Sequence, residues 1–259
     1  MAKTIVVTNH KGGIGKTSTA CAIAAILTDR KYRVLFVDAD WQCNSTDTYR
    51  AETEDVATVY DLMMRTEGVS AASAIQHTDG GDIIPGDKLI STIEPMLQAD
   101  PSDGLFRLKE ALQPIQDAYD FVILDTNPAA SLVLWNCLIA ADYVILPLTA
   151  ARYSLSGLKA INDTITSVQR RQNTSLKVAG VLLVMYDART KVGKEIKPAL
   201  KAAANSIGIP AFDTVIRTCA DVEAAQSARQ SILAYNKKCK ATIDYTAFVN
   251  ELLTVIDKE

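Results

Sequence analysis

The 259-residue sequence predicts an α/β fold, a mostly parallel, twisted sheet with helices on both of its faces. Three observations carry that expectation. Short, continuous apolar runs rich in β-branched residues recur along the chain, and such runs mark strands buried on both sides. Stretches with apolar residues at helical spacing lie between them. No Pro-, Gly- or Ser-rich linker, internal repeat or low-complexity tract interrupts the series, so residues 1–259 are expected to form one domain with a large core.

The elements follow in order. Thr4–Thr8 is the first strand; it leads into a glycine-rich loop and a helix whose Ala20, Ile23, Ala24 and Leu27 share one side. Strands are expected next at Val34–Val37, Asp82–Ile84 and Phe121–Leu124. Helical spacing covers 105–118 and 130–140, on either side of Phe121–Leu124. Tyr143–Leu146, Val178–Val184 and Thr214–Ile216 complete the strands, with helices over 154–171, 191–206, 221–229 and 242–256. In such sheets the ligand site lies at the carboxyl ends of the strands.

Composition narrows the function classes. With 48% hydrophobic and 22% charged residues, the chain is neither disordered nor a fibrous rod. It holds no apolar run of the roughly 18 residues that a membrane span requires. Met1-Ala2-Lys3 runs directly into a strand without the regions of a signal peptide, so a cytoplasmic location is expected. No two of the five cysteines stand at zinc-site spacing, and free thiols are expected. The two histidines, His10 and His77, are far apart, which argues against a histidine-based metal site.

Charge is uneven. Between Arg189 and Lys240 ten basic residues face four acidic ones, within a chain of net charge −3. A locally basic face on an acidic protein suggests a polyanion partner. From charge alone, a solvated helical surface is the plainer reading.

The loop after the first strand carries the most chemistry. Gly12-Gly13-Ile14-Gly15-Lys16-Thr17-Ser18 lies between a strand and a helix. Backbone N–H groups and a helix N-terminus there form a phosphate cradle. Lys16 would reach the β- and γ-phosphates, and the Thr17 hydroxyl would coordinate Mg²⁺. Position 10 is His where the usual pattern has Gly, and an additional lysine, Lys11, follows it. Two further strands end in carboxylates, Asp38 with Asp40 and then Asp125. Acids at strand ends can hold Mg²⁺ or orient an attacking water, and they also cap helices.

Lys11-Gly12-Gly13-Ile14-Gly15-Lys16-Thr17 resembles the deviant Walker A motif of the ParA/MinD ATPases. Val37-Asp38-Ala39-Asp40-Trp41-Gln42-Cys43-Asn44-Ser45-Thr46 is similar to the family's first switch, with Trp41 in place of Pro and Cys43 in place of Gly. Asp125-Thr126-Asn127-Pro128 resembles its second, with Asn127 in place of the first Pro. The resemblance implies a P-loop ATPase that uses ATP and Mg²⁺. It implies that Lys11 reaches a partner subunit's nucleotide, Asp40 positions the hydrolytic water, and Asp38 and Asp125 join Thr17 around Mg²⁺.

Similarity extends through Thr58-Val59-Tyr60-Asp61-Leu62, Asp82-Ile83-Ile84-Pro85-Gly86, Val144-Ile145-Leu146-Pro147 and Tyr186-Asp187-Ala188-Arg189-Thr190. The chain starts almost at the loop strand, so the small, Soj-type members without an N-terminal helix-turn-helix are the expected relatives. Those members imply an ATP-dependent homodimer that binds nonspecific DNA on the nucleoid, with a ParB-like centromere-binding partner. They drive plasmid or chromosome partition by slow, partner-stimulated hydrolysis. Arg189 aligns with a DNA-contact arginine of the family, and Arg217 with a basic position near nucleotide and DNA. Lys191, Lys194 and Arg229 are further candidates for DNA, while Ala220 stands where relatives often keep a basic residue.

Two alternatives remain from the same resemblance. A MinD-like ATPase would end in a basic membrane helix, whereas the helix at 242–256 is apolar on one side and acidic in balance, the pattern of a core-packing helix. An ATP-dependent ligase of the dethiobiotin synthetase type would need a small-molecule pocket that the sequence does not reveal.

Overall fold

The computed structural model describes residues 1–150 and 154–257; the side chains of 154–156, 191, 192 and 194 lie outside that description. Eight strands form one sheet: β1 (Lys3–Val7), β2 (Val34–Ala39), β3 (Gln76–Thr78), β4 (Gly81–Ile84), β5 (Phe121–Thr126), β6 (Tyr143–Thr149), β7 (Lys177–Tyr186) and β8 (Ala211–Arg217). Their order across the sheet is β3-β4-β2-β5-β1-β6-β7-β8. Every pairing is parallel except β3 with β4.

The helices are α1 (Lys16–Asp29), α2 (Asn44–Tyr49), α3 (Val59–Met64), α4 (Ala71–Ala74), α5 (Glu94–Gln98), α6 (Arg107–Leu112), α7 (Leu132–Ala140), α8 (Ser154–Arg171), α9 (Lys191–Ser206), α10 (Ala220–Ser227), α11 (Ile232–Tyr235) and α12 (Lys240–Asp257). The seven strands expected from the sequence are present, several extended by one to four residues at their ends. β3 is the addition. It is a three-residue antiparallel edge, too short and polar to show an apolar run. The pattern at 105–118 divides into α6 and a 3-10 turn over Gln113–Ala118. Short α2, α3, α4, α5 and α11 have four to six residues each, below the length at which helical periodicity can be read.

Strand side chains alternate between two cores, as the period of two requires. Val6, Leu35, Val37, Val122, Leu124, Val144 and Leu146 face α3 and α5–α9. Ile5, Val7, Phe36, Ile123, Ile145 and Leu182 face the other way, onto α1 and α12. α1 is buried around most of its circumference, Thr19 through Ala24 included, because it sits under α12 as well as on the sheet. α12 buries Ala241, Tyr245, Phe248, Val249, Leu252 and Ile256, and packs against β8 and α1. Its apolar stripe is therefore spent on the core, as the acidic balance of that segment suggested. No helix among the described residues is long and apolar enough to cross a membrane.

Candidate nucleotide site

Strand register sets the frame of the site. Asp38 of β2 stands opposite Asp125 of β5, and Asp125 stands opposite Val7 of β1. One level of the sheet's carboxyl edge thus carries two carboxylates and the mouth of the loop that follows β1.

That loop is built around two left-handed residues, Gly13 (φ +68°) and Gly15 (φ +75°). An L side chain in this region costs about 1–2 kcal/mol. Asn9, buried, ties the loop down: its Nδ2 donates to the carbonyl of Pro147 (2.9 Å), and its Oδ1 accepts from the Lys11 N–H (3.2 Å). His10 turns away toward α8, with Nε2 3.3 Å from Thr164 Oγ1.

The two lysines occupy opposite environments. Lys16, first residue of α1, is buried, and its Nζ donates to the carbonyl of Lys11 at 3.2 Å. Burial lowers its pKa, although Asp125 and Asp40 pull the other way. Lys11 is exposed at the lip, and its ammonium makes no hydrogen bond or ion pair among the described residues. Gly12–Ser18 line a cleft of about 270 Å³ with Asp40, Gln42, Asn44, Pro128, Met185 and α10 residues Val222, Glu223 and Gln226.

The carboxylates are unevenly satisfied. Asp38 is wholly buried; its Oδ2 accepts from the Thr46 N–H (2.8 Å) and hydroxyl (2.7 Å), and its Oδ1 from the Asp40 N–H (3.1 Å). Thr46 in turn accepts from the Gly86 N–H at 2.8 Å, and a Cβ at Gly86 would lie 3.0 Å from Asp38 Cγ, so any side chain there would press on Asp38. Asp125 is wholly buried too. Its Oδ2 accepts from Ser45 Oγ at 2.6 Å, while its Oδ1 has no partner. Asp40 accepts the Gln42 N–H on Oδ1 (3.0 Å), and its Oδ2 makes no hydrogen bond among the described residues.

Three acids therefore cluster around one buried lysine, which faces two of them, Asp40 and Asp125. Burial raises the pKa of Asp38 and Asp125, Asp125 also through the charge of Asp38, so that this pair keeps its protons to higher pH than exposed aspartates do. A hard divalent cation with oxygen ligands fits this deficit of positive charge and the orphaned Asp125 Oδ1, with the Thr17 hydroxyl beside Asp125. Asp38, whose oxygens already serve Thr46 and Asp40, can support such a cation only from behind.

A stability consequence follows by linkage. A group whose folded-state pKa is raised stabilises fully below its unfolded value, and that contribution is lost as pH rises through the folded value. The metal-free chain should melt several degrees lower at about pH 8 than at about pH 5.5. Asp125→Asn should flatten this dependence. Thermal melts in a chelating buffer check it; an unchanged slope in the variant contradicts the assignment.

The residues expected at a DNA face fall into two places. Arg189 follows β7 and Arg217 ends β8, on neighbouring strands at the loop's edge of the sheet. Arg189 is exposed and forks onto Asp187 (2.9 and 2.8 Å), which holds that carboxyl down at about 2. Arg217 forks onto Asp244 of α12 (2.8 and 2.7 Å) and is not part of the cleft wall. Arg229 lies just past α10, paired with Asp47 of α2 at 2.9 Å. Lys237 pairs with Asp29. Four cations of the basic stretch are thus matched by aspartates from outside it, which a count along the sequence could not register. The side chains of Lys191 and Lys194 lie outside the described residues.

Ser45, Thr46, Gly86, Gln42 and the α10 wall are parts of the site that the sequence did not single out. Ser45 and Thr46 were legible only as members of a loop after Asp40. The α10 residues come from 200 positions downstream and carry no local signal. Cys43 begins α2 in a left-handed conformation (φ +54°), the geometry that accounts for the glycine expected there.

The comparisons agree with this geometry. A family model described as an AAA domain matches residues 2–178. The sporulation initiation inhibitor protein Soj of Bacillus subtilis is 33% identical over 253 residues, 97% of this chain and 98% of that protein. The chromosome partitioning protein ParA of Caulobacter vibrioides is 31% identical over 255 residues, 97% and 94% of the two chains. Among solved structures, cobyrinic acid a,c-diamide synthase from Mycobacterium smegmatis with bound ADP and magnesium superimposes with a TM-score of 0.85 at 28% identity, covering 99% of this chain and 96% of that one. A deviant phosphate loop with one buried and one exposed lysine, two carboxylate-tipped strands in register, and full-length relatives of this kind together show that the chain belongs to the ParA-type family of P-loop ATPases.

Proposed function

We propose that the protein is an ATP-driven partition ATPase, a single unit of 259 residues that dimerises on ATP and then holds nonspecific DNA. The observation that carries this reading is the division of labour between the lysines: Lys16 is buried at the floor of the cradle, and Lys11 is exposed at its lip. ATP would lie over Gly12–Ser18, its phosphates taking the backbone N–H groups and the Lys16 ammonium. Thr17 and Asp125, with Asp38 behind them, would hold Mg²⁺, which would supply positive charge against the triphosphate. Lys11 reaches the nucleotide of a second subunit, so dimerisation follows the triphosphate. Asp40, pinned through Oδ1, offers Oδ2 to a water and orients it toward the γ-phosphate.

DNA binding then follows from doubling. Each phosphate neutralised contributes roughly 0.9 to the logarithmic salt slope, so two joined patches grip far more steeply than one. Arg189 leads this patch. Arg217 is committed to Asp244, and a phosphate must displace that carboxylate before the arginine takes part. Arg229, Lys191 and Lys194 complete the proposed set. The setting is the cytoplasm and the nucleoid, with a ParB-like centromere-binding protein as activator.

Random-sequence DNA should shift in a gel with ATP and not with ADP or without nucleotide. Arg189→Ala should weaken that shift by about tenfold, the order expected for losing a contact in each of two subunits, and leave ATP-driven dimerisation intact. Equal shifts by the variant and the wild type would move the face elsewhere.

A second reading, an ATP-dependent ligase, rests on the likeness to the Mycobacterium smegmatis cobyrinic acid a,c-diamide synthase, solved with bound ADP and magnesium. It expects no nucleotide-dependent DNA shift and a small-molecule acid that stimulates ATP turnover. The full-length likeness to Soj and ParA favours the partition reading.

A further inference from the structure

A second cluster of metal-binding side chains lies apart from the carboxylates of the nucleotide site. Cys219 precedes α10, Cys239 precedes α12, and chain reversal brings them together with Asp221. The two sulfurs and a carboxylate oxygen lie within 4.8 Å of one another. Asn236 Nδ2 donates to Asp221 Oδ2 at 2.8 Å, an outer bond of the kind that orients metal ligands. The backbone N–H of Thr242 points at Cys239 Sγ (3.4 Å). Cys219 is the N-cap of α10, and the Cys239 carbonyl accepts from the Ile243 N–H in the first turn of α12. Both cysteines stand at helix N-termini, and at α12 a backbone N–H meets the Cys239 sulfur, which complements the negative charge that thiolate–metal bonds carry. Cys239 is buried, while Cys219 and Asp221 are half-buried, so the set is reachable from one side.

We propose that Cys219, Asp221 and Cys239 bind one thiophilic divalent cation of the zinc type, with water in the fourth position. Two sulfurs and one oxygen select such an ion and reject Mg²⁺, which takes oxygen ligands. Zinc–sulfur bonds of about 2.3 Å place two tetrahedral sulfurs roughly 3.8 Å apart. The sulfurs therefore need to close by at most about 1 Å, within the reach of side-chain rotation. Binding displaces one proton from each thiol to solvent. The ligand positions are 219, 221 and 239, a spacing that no short cysteine motif describes, and the metal site is assembled by the fold. Its place gives it a consequence. The ion pins the start of α10, whose Val222, Glu223 and Gln226 wall the nucleotide cleft, to the start of α12, whose Asp244 holds Arg217.

Cobalt(II) is the probe. The full, reduced chain titrated with Co²⁺ should develop a sulfur-to-cobalt charge-transfer band that saturates at one equivalent and is erased by Zn²⁺. Cys43→Ser and Cys137→Ser should keep the band. Cys219→Ser and Cys239→Ser should lose it while keeping the wild-type circular dichroism, and the milder Asp221→Asn should weaken binding at least tenfold. Absence of the band in the wild type overturns the proposal, as does a band that survives the double cysteine substitution or disappears with Cys43→Ser. A chain that forms a Cys219–Cys239 disulfide in air but shows no band when kept reduced overturns it too.

Discussion

Lys16→Ala is expected to abolish measurable ATP binding. The ammonium of Lys16 is already stripped of most of its water, and burial has lowered its pKa, so it meets a phosphate at little further desolvation cost. It is also the buried cation facing Asp40 and Asp125. Its removal leaves a negatively charged floor beneath a triphosphate. Breaking a buried charge pair by deleting one member costs about 3–5 kcal/mol. That corresponds to a loss of roughly 10²–10³-fold or more in affinity. Calorimetric titration with ATP and Mg²⁺ measures it, with Lys11→Ala as the companion. Lys11 is exposed, and its carbonyl, not its side chain, meets Lys16, so its loss should leave monomer binding nearly unchanged. Wild-type affinity in Lys16→Ala would contradict the cradle.

Asp40→Ala should leave ATP binding and the ATP dimer in place while turnover falls about 10²–10⁴-fold, the span of general-base contributions. Asp40 lines the cleft, is largely buried, and has one oxygen fixed by the Gln42 N–H. Burial raises its pKa, which makes the carboxylate a better proton acceptor than an exposed aspartate. Asp40→Asn separates positioning from proton transfer, because the amide oxygen can keep the bond to Gln42 and lose the base. Phosphate release in the presence of DNA is the measurement. Normal turnover in Asp40→Ala would take Asp40 out of the mechanism.

The sheet was legible because its strands are continuous apolar runs, and burial on both faces writes itself into sequence. The phosphate loop was legible because close backbone approach admits little but glycine. The pairing of Asp38 with Asp125 was not, since register across β2 and β5 depends on packing between segments 87 residues apart. Asp38 illustrates the difference. The sequence offers it as a metal-side acid or a helix cap, and the structure spends its oxygens on Thr46 and Asp40 while its backbone crowds Gly86. The basic stretch illustrates the reverse error. Arg189, Arg217, Arg229 and Lys237 add up along the chain, but each meets an aspartate from outside the stretch once the chain folds. Only the carboxylates' positions in space decide how much positive potential remains.

The central claim is that the exposed Lys11 makes assembly depend on the triphosphate. Static light scattering with saturating ATP and Mg²⁺ tests it most directly. The account predicts that the mass doubles from 28.0 kDa for the wild type, stays single with ADP, and stays single with ATP for Lys11→Ala. A wild-type chain that remains at 28.0 kDa in ATP and Mg²⁺, or a Lys11→Ala chain that doubles as readily, would contradict it.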